Sequence, residues 1–426
     1  MRPARVRLAS RFLLAGTLVV ACTAAPTPAL DGRAVDEGRP TFTSPTDVTN
    51  PLFPAATVAQ LVHLGIDGGQ PLRVEVTRMP KTRIVEWDGV EVETVVVQFI
   101  SYRNDRILEV AYDFFAQADD GSVWYFGETV DNYADGRVSN HSGAWLAGED
   151  GPPGMIMPAD PRVGDIYHPE NIPGVVFEEL IVLATDVSLP GPAGEITGAI
   201  RVEEHLMEGT VEQKIFAPGY GEFEADAPSE LVTVAVAVPT DALAAPMPDA
   251  MVELHTASVS MADGDPDAMA EPKPVLDTID ARWTSLRGDS PPLLVEAVDA
   301  AVASLEAAVD GGDARAIRSA GVALLMATLD LELRYRGQAA VDLDRIGAWM
   351  RHLVLAADEG DEAGVVSDAA IGAVIWARTA DAADAAGRER IGPLLASLAE
   401  AASAADAAAA RAIAEEIAAA TSARAR

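Results

Sequence analysis

The chain has 426 residues, of which 49% are hydrophobic and 23% charged, and its formal net charge at pH 7 is −35. This composition is typical of a folded protein long enough for two domains, and it excludes a chain that is disordered throughout. The negative charge argues against nucleic acid and anionic lipid head groups as partners, because proteins bind both through Lys and Arg.

The N-terminal segment 1–21 has the pattern of a secretory signal peptide. Four Arg lie among the first eleven residues, and the apolar run 12–21 ends at Cys22, the single cysteine of the chain. A basic head, a short apolar run and a small residue before the cut are typical of a cleaved signal. The run is about half as long as a transmembrane helix requires.

Residues 19–22 (VVAC) resemble the lipobox of bacterial lipoproteins. The resemblance implies cleavage before Cys22 and lipid attachment to its sulfur, so that two or more acyl chains anchor the protein stably. We therefore expect an exported protein, held by lipid at the outer face of the cytoplasmic membrane or in the periplasm or at the cell surface.

Residues 22–46 are rich in Thr, Ala, Pro, Gly and Asp, which predicts a flexible tether. Over 47–238 the sequence alternates between polar and apolar residues, and turn signals at Asp88-Gly89, 119–121 and Asp135-Gly136 separate the runs. This pattern predicts an antiparallel β domain of about ten strands, as a curved sheet or partial barrel.

Prolines and the acidic run 263–267 interrupt residues 239–289, which predicts a linker with one short helix near 276–286. From 290 to 426 apolar residues recur every three or four positions, as helices require. Turn signals at 311–313 and 360–361, repeated loosely near Asp406, predict three antiparallel helical hairpins, as a six-helix bundle or a short stacked array. The predicted fold class is α+β, with an N-terminal antiparallel sheet followed by a C-terminal α-helical domain.

Four segments of the β domain resemble, in order, motifs of a family of uncharacterised secreted bacterial proteins. They are 48–54 (VTNPLFP), 112–128 (YDFFAQADDGSVWYFGE), 157–167 (MPADPRVGDIY) and 217–221 (APGYG). The family patterns are VTNPxFP, YDxYAQDxDGxVWYFGE, MPADPxVGDxY and APGxG, from which this chain departs at 55–58 and at Phe115. The resemblance implies a curved sheet like that of lipoprotein-carrier and lipid-carrier domains and implies no particular activity. The helical half similarly resembles an unassigned partner domain of exported actinobacterial proteins.

Four aromatic residues, Tyr112, Phe114, Trp124 and Phe126, alternate along two neighbouring predicted strands. Alternation places them on one face of a hairpin. On the concave side of a curved sheet they would line a pocket for an apolar ligand. On the other side they would be ordinary core, which is the commoner role of such a face.

The acidic residues Asp160, Asp165 and Glu170 lie in a Pro-containing segment and form a candidate calcium site, since calcium prefers oxygen ligands. The competing interpretation is a solvated loop, because their spacing matches no regular ligand pattern.

Sequence patterns of catalysis are missing: the chain has no Gly-rich phosphate loop, no nucleophile elbow and no His-Glu-x-x-His pair. The sequence therefore predicts no enzyme and no cofactor. It predicts a membrane-anchored lipoprotein that binds an apolar small ligand or an envelope protein. The alternative prediction is a cation-binding or metal-homeostasis lipoprotein.

Overall fold

The computed structural model describes residues 32–422. The predicted signal peptide and the predicted lipidation site Cys22 lie outside the described residues. Within this range, no helix is both long enough and apolar enough to cross a membrane.

Sixteen strands within residues 32–422 form a sheet. They are β1 Arg33–Ala34, β2 Gln60–Asp67, β3 Gln70–Arg78, β4 Arg83–Trp87, β5 Val90–Arg103, β6 Arg106–Gln117, β7 Val123–Ala134, β8 Arg137–Asn140, β9 Trp145–Leu146, β10 Gly154–Met157, β11 Asp165–Ile172, β12 Val176–Gly191, β13 Gly194–Leu206, β14 Val211–Ala217, β15 Gly221–Ala227 and β16 Glu230–Val238. The main path of hydrogen-bonded neighbours runs β1-β11-β12-β13-β14-β15-β16-β2-β3-β5-β6-β7-β10. The β1–β11 pair is parallel and the others are antiparallel, as hairpin connections produce.

The three predicted chain reversals are confirmed. Asp88-Gly89 joins β4 to β5, residues 118–122 join β6 to β7, and Asp135-Gly136 joins β7 to β8. In both Asp-Gly pairs the two residues have positive φ, 52° and 73° in the first and 50° and 74° in the second. These values are those of the type I′ turn, whose twist matches that of a hairpin.

The sheet curls until its two ends approach each other, but it does not close. Strand β10 packs against β11, and a Cβ on Gly154 would lie 1.9 Å from the carbonyl oxygen of Pro169. Only glycine allows two backbones to come this close. One face of the sheet is thereby turned inward, and we call it the inner face. The opposite face we call the outer face.

Nine α-helices follow within the described residues. They are α1 Asp249–Asp263, α2 Pro266–Ala270, α3 Pro272–Leu286, α4 Pro292–Gly311, α5 Ala314–Glu332, α6 Gln338–Glu359, α7 Glu362–Thr379, α8 Ala385–Ser403 and α9 Ala407–Ser422. The predicted combination of a curved antiparallel sheet with a helical region is confirmed.

The first two predicted helical turns have the expected caps. Gly312 and Gly360 end α4 and α6 with φ of 65° and 71°. The Asp313 carboxylate then accepts hydrogen bonds from the first backbone N–H groups of α5, and Asp361 does the same for α7. Between α8 and α9 the left-handed position is taken by Ala405, with φ of 55°. Left-handed glycines and capping carboxylates satisfy the free backbone groups at helix ends.

Residues 239–289 differ from the predicted linker, because most of them form α1, α2 and α3. Pro248 is the N-cap of α1 and Pro272 is the first residue of α3. Proline is tolerated at these positions because the first turn of a helix has no acceptor for its N–H in any case. Met251 and Leu254 of α1 and Trp283 of α3 are buried in the core with α4 and α5.

The described part of the predicted tether, residues 32–46, also differs from expectation because it contacts the sheet. Arg33 binds Asp165 of β11 at 2.5 Å. The Thr41 hydroxyl donates to Asp119 at 2.7 Å, and the Phe42 ring lies 5.4 Å from that of Phe126.

The described sheet and helices belong to one compact unit, with helices packed on the outer face. Ile100 and Tyr102 of β5 share a core with α6, α7, α8 and α9, and the Tyr102 ring stacks on Trp349 with centroids 5.5 Å apart. The sheet therefore presents its inner face alone to any ligand that it holds.

A set of buried ion pairs joins β3 to α5, α6 and α7. We call it the interface ion cluster, and its members are Arg73, Glu75, Asp330, Asp342, Arg345 and Arg378. Arg378 is fully buried and binds Glu75 at 2.5 Å and Asp342 at 2.7 Å. Three cations face three carboxylates, so the charges balance, which a buried set of ions requires.

Candidate functional site

Tyr112 and Phe114 lie on the outer face. The Tyr112 hydroxyl accepts a hydrogen bond from the Gln98 side chain at 3.0 Å, and Gln98 also donates to the carbonyl of Val374 in α7. The Phe114 ring lies under the guanidinium group of Arg83, 4.3 Å from its centroid. Helix α7 and strand β4 therefore cover these two rings.

Trp124 and Phe126 lie on the outer face as well. The Trp124 indole N–H donates to the Ser122 hydroxyl at 2.9 Å. Phe126 is fully buried, with Phe42 and Trp87 against its ring at 5.4 and 6.3 Å. Strand alternation thus groups the four predicted aromatics on one side, and that side is core.

A cavity of about 400 Å³ occupies the inner face. Its lining comes from strands along most of the sheet, which places it in the hollow of the curvature. The apolar part of the lining includes Phe53, Ala55, Val58, Leu61, Val74, Val76, Val97, Phe99, Ala111, Phe115, Tyr125, Ile156, Tyr220, Ala225 and Val232. We call this apolar part of the lining the apolar wall. Strands β2, β3 and β5 form a continuous part of it, and residues 53–58 add to it near the ends of these strands.

The rest of the lining is acidic. Among the described residues it contains eight carboxyl side chains: Glu109, Asp113, Glu128, Glu170, Glu178, Glu212, Glu222 and Glu230. Two cationic side chains accompany them. Arg78 is exposed, and Lys214 binds Glu204 at 2.7 Å and Glu222 at 3.3 Å. Within residues 32–422, Glu222 alone of these eight carboxyls forms an ion pair with either cation, although Lys214 also acts electrostatically on Glu170, Glu178, Glu212 and Glu230.

A β-bulge in β7 determines which residues enter the cavity. Asp113 of β6 pairs with Glu128, whereas Phe115 pairs with Tyr125, so β7 has one extra residue between these pairs. Tyr125 and Glu128 consequently both face inward although three positions separate them. Gly127 permits the bulge, because it has φ of 110° and a Cβ there would lie 2.3 Å from the carbonyl oxygen of Trp145.

Asp113 and Glu128 form a pair of neighbouring carboxyls. Burial raises the pKa of Asp113 to about 7, and Glu109 and Glu170 add to this shift, while a hydrogen bond donated by the Tyr125 hydroxyl at 3.0 Å opposes it. Burial, followed by the charges of Asp113 and Glu170, raises the pKa of Glu128 to about 10. Buried carboxyls without cations retain their protons in this way.

Glu170 and Glu178 bring two more carboxyls to the same side from β11 and β12. Glu170 accepts a hydrogen bond from the Trp145 indole N–H at 2.9 Å, and burial raises its pKa to about 7. Burial, followed by the charge of Glu204, raises the pKa of Glu178 well above its usual range. The acidic wall is therefore assembled from two parts of the chain that meet only because the sheet curls.

His63 lines the cavity with an unused acceptor. Its side chain is buried, with 4% relative exposure, and its Nε2 lies 3.0 Å from the carbonyl oxygen of Glu222. Because a carbonyl only accepts, Nε2 carries the hydrogen, and burial lowers the pKa of His63 so that the ring is neutral. Its Nδ1 is thus an acceptor, and this atom has no hydrogen-bond partner among the described residues.

The residues of the predicted calcium site are not brought together. Asp160 is exposed and binds Arg162 at 2.9 Å, Asp165 is buried against Arg33, and Glu170 lies in the cavity. Across residues 32–422, no three His, Cys, Asp or Glu side chains are arranged to hold a metal ion.

A second cavity, of about 420 Å³, lies among the helices. The charged groups that line it bind each other: His255 contacts Glu332 at 2.7 Å and Arg336 contacts Asp344 at 2.7 Å. Because these charges are already paired, the cavity of the inner face is the stronger candidate site.

Sequence reasoning singled out one residue of this site, Glu170, for a different role and missed the others. Asp113, Phe115 and Tyr125 are sequence neighbours of the aromatics that were singled out, and most of the other inward carboxyls lie on other strands. One signal was present: Glu109, Ala111, Asp113 and Phe115 alternate on the second face of β6, so that acids and apolar residues share it. A large apolar side chain such as Phe115 is uncommon on a strand face that is exposed to water.

Comparison with protein-family models and with curated proteins finds no match to this chain. The function is therefore argued from the geometry of the cavity.

Proposed function

We propose that this protein is a non-enzymatic binding protein of the bacterial cell envelope, which holds a small ligand with an apolar body in the cavity of the inner face. The observation that carries the proposal is the cavity itself, with a volume of about 400 Å³ and a continuous apolar wall on β2, β3 and β5. Sites for small molecules commonly have about 300–1,000 Å³ and a mostly apolar lining with a few polar groups.

The envelope location in this proposal rests on the N-terminal segment with Cys22 and on the resemblance of the β domain to secreted proteins. Mass spectrometry of the protein from its own cells is expected to show a chain that begins at Cys22 and carries diacylglycerol. Cys22→Ser is expected to move the protein from the membrane fraction to a soluble one. An unprocessed chain in the cytoplasm would contradict this part of the proposal.

Ligand binding is tested by closing the cavity. Ala55 lines it and is half-buried, so Ala55→Trp is expected to place an indole in the cavity with little strain. The assay is titration of the purified full-length protein with N-phenyl-1-naphthylamine, a neutral apolar dye that fluoresces in apolar sites. We expect saturable binding to the unsubstituted protein and a loss of affinity of at least about ten-fold in the variant, since about 1.4 kcal/mol of lost apolar contact corresponds to that factor.

The chain offers a matched control for this test. Ala56 is the next residue, is also half-buried, and does not line the cavity. Ala56→Trp is therefore expected to bind the dye as the unsubstituted protein does. Equal dye affinity in Ala55→Trp and Ala56→Trp would place the dye elsewhere and would refute the proposed site.

A further inference from the structure

We propose that the ligand of this cavity is a cationic amphiphile, a primary ammonium group on an apolar chain, with the ammonium group against the carboxyls of β6, β7 and β11 and the chain against β2, β3 and β5. This inference rests on the proposed function, because it names the chemical class of the ligand at the same site.

The charge of the lining favours a cation. Eight carboxyls and two cationic side chains line the cavity, and Lys214 is already bound to Glu204 and Glu222. Arg78 is exposed. Asp113 and Glu170 are partly ionised at pH 7 because burial raises their pKa to about 7, so they would repel an anionic head group and attract a cationic one. Attraction of this kind is stronger in a cavity than in water, because the surrounding protein screens it less.

Three of the carboxyls form one polar side of the cavity, beside the apolar wall. Asp113 and Glu128 are opposite each other on neighbouring strands, and Glu170 acts electrostatically on both of them. Across the sheet, Val76 and Phe99 lie on β3 and β5 and belong to the apolar wall. A ligand that contacts both this polar side and the apolar wall must have an apolar body and a charged group at one end of it.

His63, on β2, adds one more acceptor to the lining of the cavity. Its free Nδ1 is an acceptor on a residue that lines the cavity, and an unsatisfied buried acceptor carries a free-energy cost. Glu128 retains its proton and can donate, whereas Asp113 and Glu170 are acceptors when they are ionised, and these acceptors need donors from the ligand. A primary ammonium group supplies three N–H donors and a positive charge, whereas an alcohol supplies one donor and a carboxylate none.

A metal ion is a poorer fit to these residues. Multivalent metal sites need several ligands that converge on one point, and the described residues contain no group of three or more His, Cys, Asp or Glu so arranged. The apolar wall would also remain uncovered if only an inorganic cation were bound.

The test compares three probes of the same chain length with different head groups, namely octylamine, 1-octanol and octanoate. Isothermal titration calorimetry on the full-length protein at pH 7 is expected to show octylamine binding about ten-fold to about a hundred-fold more tightly than octanol, the range that one or two charge-assisted hydrogen bonds provide. Octanoate is expected to bind more weakly than octanol. Equal affinities for octylamine and octanol would overturn the inference.

A second readout does not depend on any variant. Asp113 faces Glu109 on its own strand, Tyr125 and Glu128 on β7, and Glu170 on β11, and it is half-protonated near pH 7 because burial raises its pKa to about 7. An ammonium group beside it would favour loss of that proton. Titrations in two buffers of different ionisation enthalpy are expected to show proton release with octylamine and none with octanol, and equal release with both probes would overturn the inference.

Substitution then locates the effect. In the double variant Asp113→Asn with Glu128→Gln, the preference for octylamine over octanol is expected to fall to within about three-fold, because the charge-assisted hydrogen bonds are lost. Glu91→Gln removes an exposed carboxyl from β5 and is the control, for which the preference is expected to persist. A preference that survives in the double variant would refute the assignment of the carboxyls.

The outcomes separate this inference from the proposed function. If octylamine and octanol bind equally and Ala55→Trp weakens both, the cavity is a ligand site without selectivity for cations. If none of the probes binds, or Ala55→Trp changes nothing, the proposed function fails and this inference fails with it.

Discussion

Arg378→Met is expected to destabilise the protein by about 3–5 kcal/mol, the usual effect of removing one partner from a buried ion pair. The Arg378 side chain is fully buried and donates to Asp342 at 2.7 and 2.8 Å, to Glu75 at 2.5 Å and to Gln98 at 3.3 Å. Methionine fills similar space without the charge. The interface ion cluster would then hold three carboxylates and two cations, so one negative charge would remain unbalanced in the interior.

The measurement is urea unfolding at pH 7, followed by circular dichroism and by tryptophan fluorescence. The matched control is Arg390→Met in α8, where the side chain is 54% exposed and lies 3.7 Å from Glu416. Exposed pairs contribute about 0–1 kcal/mol, so this control is expected to change little.

A second substitution tests the reason for the effect. Arg378→Met leaves the Glu75 carboxylate without one of its cationic partners, and adding Glu75→Gln removes that carboxylate. If the unbalanced charge causes the loss, the double variant is expected to be at least as stable as Arg378→Met alone. A destabilisation by Arg378→Met no larger than that of Arg390→Met would refute the argument that the cluster holds the helices on the sheet.

Two further predictions concern pH and backbone space. Thermal unfolding is expected at lower temperature at pH 8 than at pH 5. Burial raises the pKa of Asp113 and Glu170 to about 7 in the folded state, whereas in the unfolded chain these carboxyls lose their protons at lower pH. The free energy of unfolding therefore falls as pH rises from the pKa of the unfolded chain to about 7. Asp113→Asn is expected to flatten this profile, and a profile that rises toward pH 8 would contradict the assignment. Gly136→Ala, where a Cβ would lie 2.4 Å from the backbone nitrogen of Ser367, is expected to destabilise more than Gly69→Ala. Gly69 also has positive φ, but no atom lies within 4 Å of the position that a Cβ would take there. Gly69→Ala therefore measures the left-handed strain alone, about 1–2 kcal/mol. Equal effects of the two substitutions in urea unfolding would show that α7 moves to accommodate the added Cβ at Gly136.

The elements that could be predicted from the sequence are those determined by neighbouring residues. Asp88-Gly89 and Asp135-Gly136 form their turns because the two residues accept positive φ, whatever surrounds them. Asp313 and Asp361 cap helices because their carboxylates reach the next few N–H groups of the same chain.

The 239–289 segment shows where local reasoning is insufficient. Proline prevents a helix from continuing and also favours its first turn, so the same residue is evidence for a break and for a start. The packing of Met251 and Leu254 against α4 and α5 decides between these interpretations. That packing involves residues tens of positions away along the chain, and no local pattern contains it.

The candidate site was harder to predict for a geometric reason. Alternation assigns residues of a strand to two faces but does not tell which face becomes concave. The aromatics on the outer face of β6 and β7 were the stronger signal, yet the curl of the sheet encloses the other side. Glu128 and Glu170 meet only because of that curl, and they are 42 positions apart in the sequence.

The bulge at 126–127 has a consequence for the tolerance of this hairpin to length changes. Deletion of one residue between Tyr125 and Glu128 would leave them two positions apart, so that regular alternation would still place both in the cavity. At the present length, loss of the bulge would instead send Glu128 toward the helices and strand β4. A carboxyl there would be buried among apolar rings instead of lining a hollow. The bulge, and the glycine that permits it, therefore determine the polarity of both sides of the hairpin at its present length.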